Sequence, residues 1–133
     1  LSACTGSMLH LVKPLGFNMD DAKLRRAGLD YHDLAHVRVH DSLDDALAHV
    51  PGRVWALTGH ATTMYSDVTY ADGDGLLFGR ESVGLSEEAM NHSRVRDRVR
   101  IQMVEGVRSL NLANSASIVL YEAWRQLGFP GGV

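Results

Sequence analysis

Cysteine is nearly missing from this chain: Cys4 is the only one among 133 residues. A single thiol closes no intrachain disulfide and builds no all-cysteine zinc site, which fits a reducing, cytoplasmic setting. Its neighbours Ala3, Thr5 and Gly6 supply no activating base, so Cys4 reads as a buried structural thiol. No apolar run approaches the roughly 20 residues that span a bilayer, and no signal-peptide pattern opens the chain, so no membrane partner is expected. Basic charge is not in excess either: 13 Lys and Arg face 16 Asp and Glu, a net charge of −3. That balance argues against indiscriminate coating of nucleic acid, yet leaves room for a local basic patch, because steering depends on distribution. Repeats, low-complexity tracts and linkers are absent, so one domain over residues 1–133 is the expectation. The chain opens at Leu1 without Met and in mid-element, so further residues are expected upstream.

What is present is ordinary globular material, with 45% hydrophobic and 22% charged residues. Met8-Leu9-His10-Leu11-Val12 reads as a strand closed by Lys13-Pro14. Asp20 to Gly28 reads as a short helix, and His36-Val37-Arg38-Val39 as an alternating strand. Ser42 caps a predicted helix to His49, with Asp44 and Asp45 in its first turn. Val54 to Thr58 and Gly75 to Gly79 read as buried strands, Ser86 to Met90 as a short helix, and Arg98 to Ile101 as a strand. Asn114 to Leu127 is the last helix, stopped by Gly128. Such alternation predicts an α/β fold, a mainly parallel sheet flanked by helices. In these sheets the ligand crevice lies beyond the carboxyl ends of the strands, which singles out the segments after Thr58 and Phe78.

Several familiar chemistries are excluded by spacing. Gly79-x-x-Ser82-x-Gly84 misses the G-x-S-x-G elbow of serine hydrolases by one residue. Gly73-Asp74-Gly75 precedes its strand, so it is no dinucleotide fingerprint. Asp72 and Asp74 lack the other ligands of a calcium loop. His32, His36 and His40 fall four apart, but Asp33 stands where H-E-x-x-H needs Glu, and Val37 and Val39 turn the segment into a strand. They read as solvent-exposed or structural, and no metal is expected.

Three features point elsewhere. Lys23, Arg25 and Arg26 crowd one helical turn, and Arg94, Arg96, Arg98 and Arg100 alternate so that an extended chain puts them on one face. Either cluster is a solvated face or a track for phosphates. Phe78 to Leu85 forms a glycine-bracketed loop carrying Glu81, and Gly79 and Gly84 allow close backbone approach. Val107 to Ser115 packs Arg108, Ser109, Asn111 and Asn114 just before the apolar run Ile118 to Arg125. Donors at a helix mouth can face a ligand, or simply cap a core helix.

Taken in order, Gly6 through Tyr31, Leu77 through Leu85 and Ile101 through Gln126 resemble the SPOUT superfamily of methyltransferases. The third block, Arg108-Ser109-x-Asn111-Leu112-x-Asn114 followed by Tyr121-Glu122-Ala123-Trp124-Arg125-Gln126, is similar to that of small bacterial tRNA wobble-nucleotide (cytidine/uridine) ribose 2′-O-methyltransferases. The resemblance implies a SPOUT fold with a C-terminal trefoil knot, an obligate homodimer, and S-adenosyl-L-methionine as methyl donor, leaving S-adenosyl-L-homocysteine. It implies cofactor contacts at Leu57, Thr58, Gly79, Ile101, Met103, Ser109, Leu110 and Asn114. The catalytic candidates are Ser109, Asn111 and Glu81; the candidates for tRNA contact are Lys23, Arg25, Arg26, Arg80 and Arg108. Tyr121 either faces the reacting ribose or packs in a helix interface.

The chain departs from the family pattern at Arg80, where proline is usual, at Val83, where arginine is usual, and at Ala113, where serine is usual. The family's Asn-rich loop and its catalytic arginine would lie ahead of Leu1, so the domain is expected to lack its N-terminal strand and that loop. A tRNA-binding relative without catalysis, and an unrelated α/β nucleotide-binding domain, are the alternative readings.

Overall fold

A computed structural model describes residues 1–14 and 35–133. The helix expected from Asp20 to Gly28, with Lys23, Arg25 and Arg26, and the residue His32 lie outside the described residues. The chain divides into two compact units, Leu1–His49 with Gly131–Val133, and Val50–Pro130.

The first unit holds helix α1 (Ser2–Thr5), strands β1 (Leu9–Val12) and β2 (Val37–His40), and helix α2 (Leu43–Leu47). β1 and β2 pair in parallel, with Leu9 opposite Val37 and Val12 opposite His40. Side chains alternate across a strand, so His10, Val12, Arg38 and His40 share one face of this pair. Ser42 caps α2 by accepting from the Asp45 amide at 3.1 Å, as its position before Leu43 predicts, and α2 buries Ala46 and Leu47. Cys4 is exposed, contrary to expectation: α1 is one turn long and buries none of its residues.

An imidazole cluster forms here that spacing did not reveal. Nδ1 of His10 and Nε2 of His40 lie 2.8 Å apart, so one donates its proton to the other's lone pair. His49 joins them, its ring centroid 4.8 Å from that of His40 and 5.8 Å from that of His10, while its Nδ1 donates to the Asp45 carbonyl at 2.9 Å. His40 is 8% exposed and is the one buried polar residue among those described. Burial, then the charges of His40, His49 and Arg38, lower the His10 pKa below its ordinary value. Among the described residues no group of His, Cys, Asp or Glu is arranged to hold a metal.

The second unit is built on four parallel strands in the order β4-β6-β3-β5, where β3 is Val54–Leu57, β4 Thr63–Met64, β5 Gly75–Leu77 and β6 Val95–Arg100. The uninterrupted apolar run of β3 suits a strand covered on both faces, and its first three residues are buried. A short 3-10 turn (Tyr65–Asp67) and helix α3 (Glu87–Met90) punctuate the crossovers, and Ser86 caps α3 by accepting from the Ala89 amide at 3.1 Å. Helix α4 (Leu112–Gln126) lays Val119, fully buried, against Trp55, Val68, Tyr70 and Val99. Gln126 sews the helix to the crossover: its amide nitrogen donates to the Val68 carbonyl, and its oxygen accepts from the Tyr70 amide, both at 2.9 Å. Burial chiefly, with the charge of Glu122 behind it, pushes the Tyr70 hydroxyl pKa up to about 12.

Two expectations are corrected. β6 begins at Val95, and its register slips there: Val54 faces Val95, but Trp55 already faces Asp97. The extra residue breaks the two-residue period, so the four arginines do not share a face. Arg94 turns to the carbonyls of Val50 and Gly52 at 2.6 and 3.0 Å, whereas Arg98 reaches Asn91 Oδ1 at 2.6 Å. Helix α4 starts earlier than Asn114; Asn111 is its cap, accepting from the Asn114 amide at 3.1 Å.

Candidate active site at the strand carboxyl ends

Parallel pairing points the carboxyl ends of β6, β3 and β5 the same way, so the segments that follow them gather at one edge of the sheet. Leu57 closes β3 and packs on the core, and the Thr58 amide extends the ladder by donating to the Val99 carbonyl at 3.0 Å. Ile101 leaves β6 half-buried against the same core, with Met103 half-buried beyond it.

The loop after β5 folds back on its own root. Gly84 donates its amide to the Arg80 carbonyl at 2.8 Å and adopts φ 70°, which favours glycine. A Cβ placed on Gly79 would lie 2.0 Å from the Gly84 carbonyl carbon and 2.1 Å from the Leu85 nitrogen. Backbone therefore packs on backbone here, and only glycine fits. Glu81, Ser82 and Val83 form the exposed tip.

The third block meets this loop. Asn111 donates from Nδ2 to Glu81 Oε1 at 3.3 Å while its Oδ1 caps α4. One amide thus fixes both the helix mouth and the carboxylate of the neighbouring loop. Ser109, Leu110 and Asn114 are exposed around it, and Arg108 is exposed with no ion pair among the described residues. Arg80 lies exposed at the root of the Glu81 loop. Val104 and Val107 leave 77% and 52% of their surface open. Tyr121 stands 42% exposed in the C-terminal half of α4, edge-on to Trp124 at 5.4 Å, and Trp124 is edge-on to Phe129 at 5.1 Å.

Of the residues expected at a site, Leu57, Thr58, Gly79, Glu81, Ile101, Met103, Ser109, Leu110, Asn111 and Asn114 all lie on the three segments at these strand ends. The structure joins Glu81 to Asn111 directly. Arg100, the last residue of β6, was not among the expected site residues; its signal was its place at the end of the alternating run, next to the third block.

These elements match known proteins over most of their length. The model of the SpoU rRNA Methylase family matches residues 1–121. A tRNA (cytidine(34)-2′-O)-methyltransferase of Escherichia coli strain K12 is 48% identical, covering 100% of this chain and 85% of its own length. A solved structure of a putative RNA methyltransferase from Bacillus anthracis superposes with a TM-score of 0.86 at 37% identity, covering 98% of this chain and 84% of that one. Another, described as giving structural insights into the 2-OH methylation of C/U34 on tRNA, superposes with a TM-score of 0.80 at 42% identity, covering 96% of this chain and 78% of that one.

Proposed function

We propose, from the premise that this chain belongs to the SpoU rRNA methylase family, that it transfers a methyl group from S-adenosylmethionine to the ribose 2′-hydroxyl of the wobble cytidine or uridine in tRNA. The observation that carries the reading is the Asn111–Glu81 link, which brings the second and third family blocks together at the strand carboxyl ends. In this reading the strand-end backbone at Leu57, Thr58, Gly79, Ile101, Met103 and Leu110 faces the donor's adenine edge, and the close Gly79–Gly84 packing fixes the loop beside it.

The donor supplies a sulfonium-borne methyl group whose departure needs neither acid nor metal. The chain's work is alignment and proton handling. Alignment of two reactants can contribute several kcal/mol of barrier lowering, about 7 or more in well-oriented systems. Asn111 holds the Glu81 carboxylate, which accepts from or orients the ribose hydroxyl, a weak nucleophile until its proton is drawn off. Ser109 and Asn114 shape the loop around the donor, and Arg108 and Arg80 offer guanidinium groups to the RNA backbone. Lys23, Arg25 and Arg26, outside the described residues, are further candidates for RNA contact in the reading, which includes recognition of a single-stranded loop through splayed bases.

The reading includes a homodimer, a trefoil knot formed by the C-terminal segment, and a cytoplasmic setting. Leu110, Tyr121, Leu127 and Phe129 leave apolar surface exposed on the second unit, which a second copy would cover. No helix among the described residues is long and apolar enough to cross a membrane. The test is methylation of a tRNA pool by the full-length protein, with mapping of the modified nucleotide. A methyl group on the wobble ribose is the expected outcome; tRNA binding with no transfer to any ribose would turn the reading to a catalytically silent binder.

A further inference from the structure

We propose that Arg100 is the receptor for an anionic oxygen group arriving at the strand ends: a phosphodiester of the RNA or the carboxylate of the methyl donor. The inference rests on the function proposed above. Arg100 is the last residue of β6, paired in register with Met64 at the end of β4, and it directly precedes Ile101 and the third block. Val99 beside it is fully buried in the core with Val119 of α4. Alternation therefore puts Arg100 on the opposite face of the sheet, with Arg98.

Three other guanidinium groups on or beside this sheet are bonded by the chain itself, whereas exposed Arg96 faces solvent. Arg94 donates to two carbonyls, Arg98 to Asn91, and Arg53 to Asp74 at 3.3 Å. Arg100 makes no such bond among the described residues. It is half-buried, and its Nε is the single buried side-chain nitrogen or oxygen without a hydrogen-bond partner among the described residues. A cation whose Nε is kept from water without a partner costs free energy, and a methionine of similar reach would pack there without that cost. No described residue supplies the acceptor, which leaves that place to an arriving ligand. A planar guanidinium presents a rigid fork that suits the paired oxygens of a phosphate or carboxylate.

The experiment uses the full-length protein with Arg100→Met and Arg100→Lys. Titration calorimetry measures S-adenosylhomocysteine and 5′-methylthioadenosine, which lacks the carboxylate, and tRNA affinity is measured across a salt series. Arg100→Met should weaken one ligand about tenfold or more, with Arg100→Lys recovering part of the loss. If the acceptor is a phosphodiester, tRNA affinity falls, the slope of log affinity against log salt shrinks by about one, and S-adenosylhomocysteine binds as before. If it is the carboxylate, S-adenosylhomocysteine weakens while methylthioadenosine does not. Unchanged affinity for both ligands overturns the inference. So does loss of folding in both variants, or loss of dimer with ligand affinities intact, since either outcome makes Arg100 a structural group. A wild-type protein that binds neither ligand sinks the proposed function itself, a result distinguishable from unchanged binding by the variant.

Discussion

Trp55, Val68, Tyr70, Val99 and Val119 fill the interior of the second unit, whereas His40, 8% exposed, lies in the first between the rings of His10 and His49. In the second unit polar groups act as pins at the margin of an apolar core. Asp74, its side chain 5% exposed, accepts from Trp55 Nε1 and from the amides of Arg53 and Ala71, each at 3.0 Å. In the first unit an imidazole cluster lies beside buried Ala46 and Leu47, with His40 buried, His10 half-buried and His49 exposed. An apolar core tolerates pH and punishes changes of shape, whereas a buried imidazole makes the stability around it answer to pH.

The largest effect that would test this contrast is Gly79→Ala. The new Cβ would overlap backbone, which cannot swing aside as a side chain can. Destabilisation of about 3 kcal/mol is expected, with loss of nucleoside binding. Denaturant unfolding and calorimetry with S-adenosylhomocysteine check it. A variant that folds and binds like the wild type would show that the Gly79–Gly84 contact is not a fixed part of the site.

Asp74→Ala comes next. It strands the Trp55 indole donor and two amides at the edge of the core, at a cost of roughly 2 to 3 kcal/mol by thermal unfolding. Burial raises the Asp74 pKa, but the hydrogen bonds from Trp55, Ala71 and Arg53 and the Arg53 charge outweigh it, and the net shift is downward. A carboxylate depressed in the folded state stabilises above its ordinary pKa, 3.8, and that stability is lost as pH falls below it. The contribution of Asp74 to the second unit should therefore hold steady until the pH falls to about 4.

The parts of this architecture that sequence could reveal are those with a local cause. The run Val54-Trp55-Ala56-Leu57 can only be a covered strand, and Ser42 and Ser86 cap their helices because a hydroxyl before an acidic first turn does little else. Two-residue β4 has no period to read, and the slip at Arg96 is set by the partner strand, not by β6 itself. Asn111 and Asn114 sit three apart, and either could have capped α4 on local grounds; the reach of Asn111 to Glu81 is decided by the fold. The site's location followed from the family resemblance and the strand order together, whereas the imidazole cluster joins residues 30 apart and was invisible to spacing rules.

A subtler effect separates the two jobs of Asn111. Asn111→Ala removes the cap and the Glu81 contact, and should cost about 1 kcal/mol. Asn111→Asp keeps an acceptor for the Asn114 amide but loses the donor to Glu81 and sets two carboxylates together. Its stability should stay within about 0.5 kcal/mol of wild type while methyl transfer falls about tenfold, mostly in kcat. Equal transfer by wild type and Asn111→Asp would remove Glu81 positioning from the mechanism.

The smallest effect bears most directly on the imidazole cluster. His10 has a folded-state pKa below its ordinary value of 6.5, so the unfolded chain takes up its proton first as the pH drops. Stability of the first unit is therefore full above pH 6.5 and declines as pH falls from there towards the depressed folded value. The charges facing His10 are those of His40 and Arg38 on β2 and of His49 beyond α2. His40→Gln removes one like charge and should narrow the decline. Hydrogen exchange read segment by segment tests this: between pH 7 and 5, protection should fall at β1 and β2 and hold at β3 and β6. A parallel loss in all four strands would mean that the two units do not differ in what their interiors are made of.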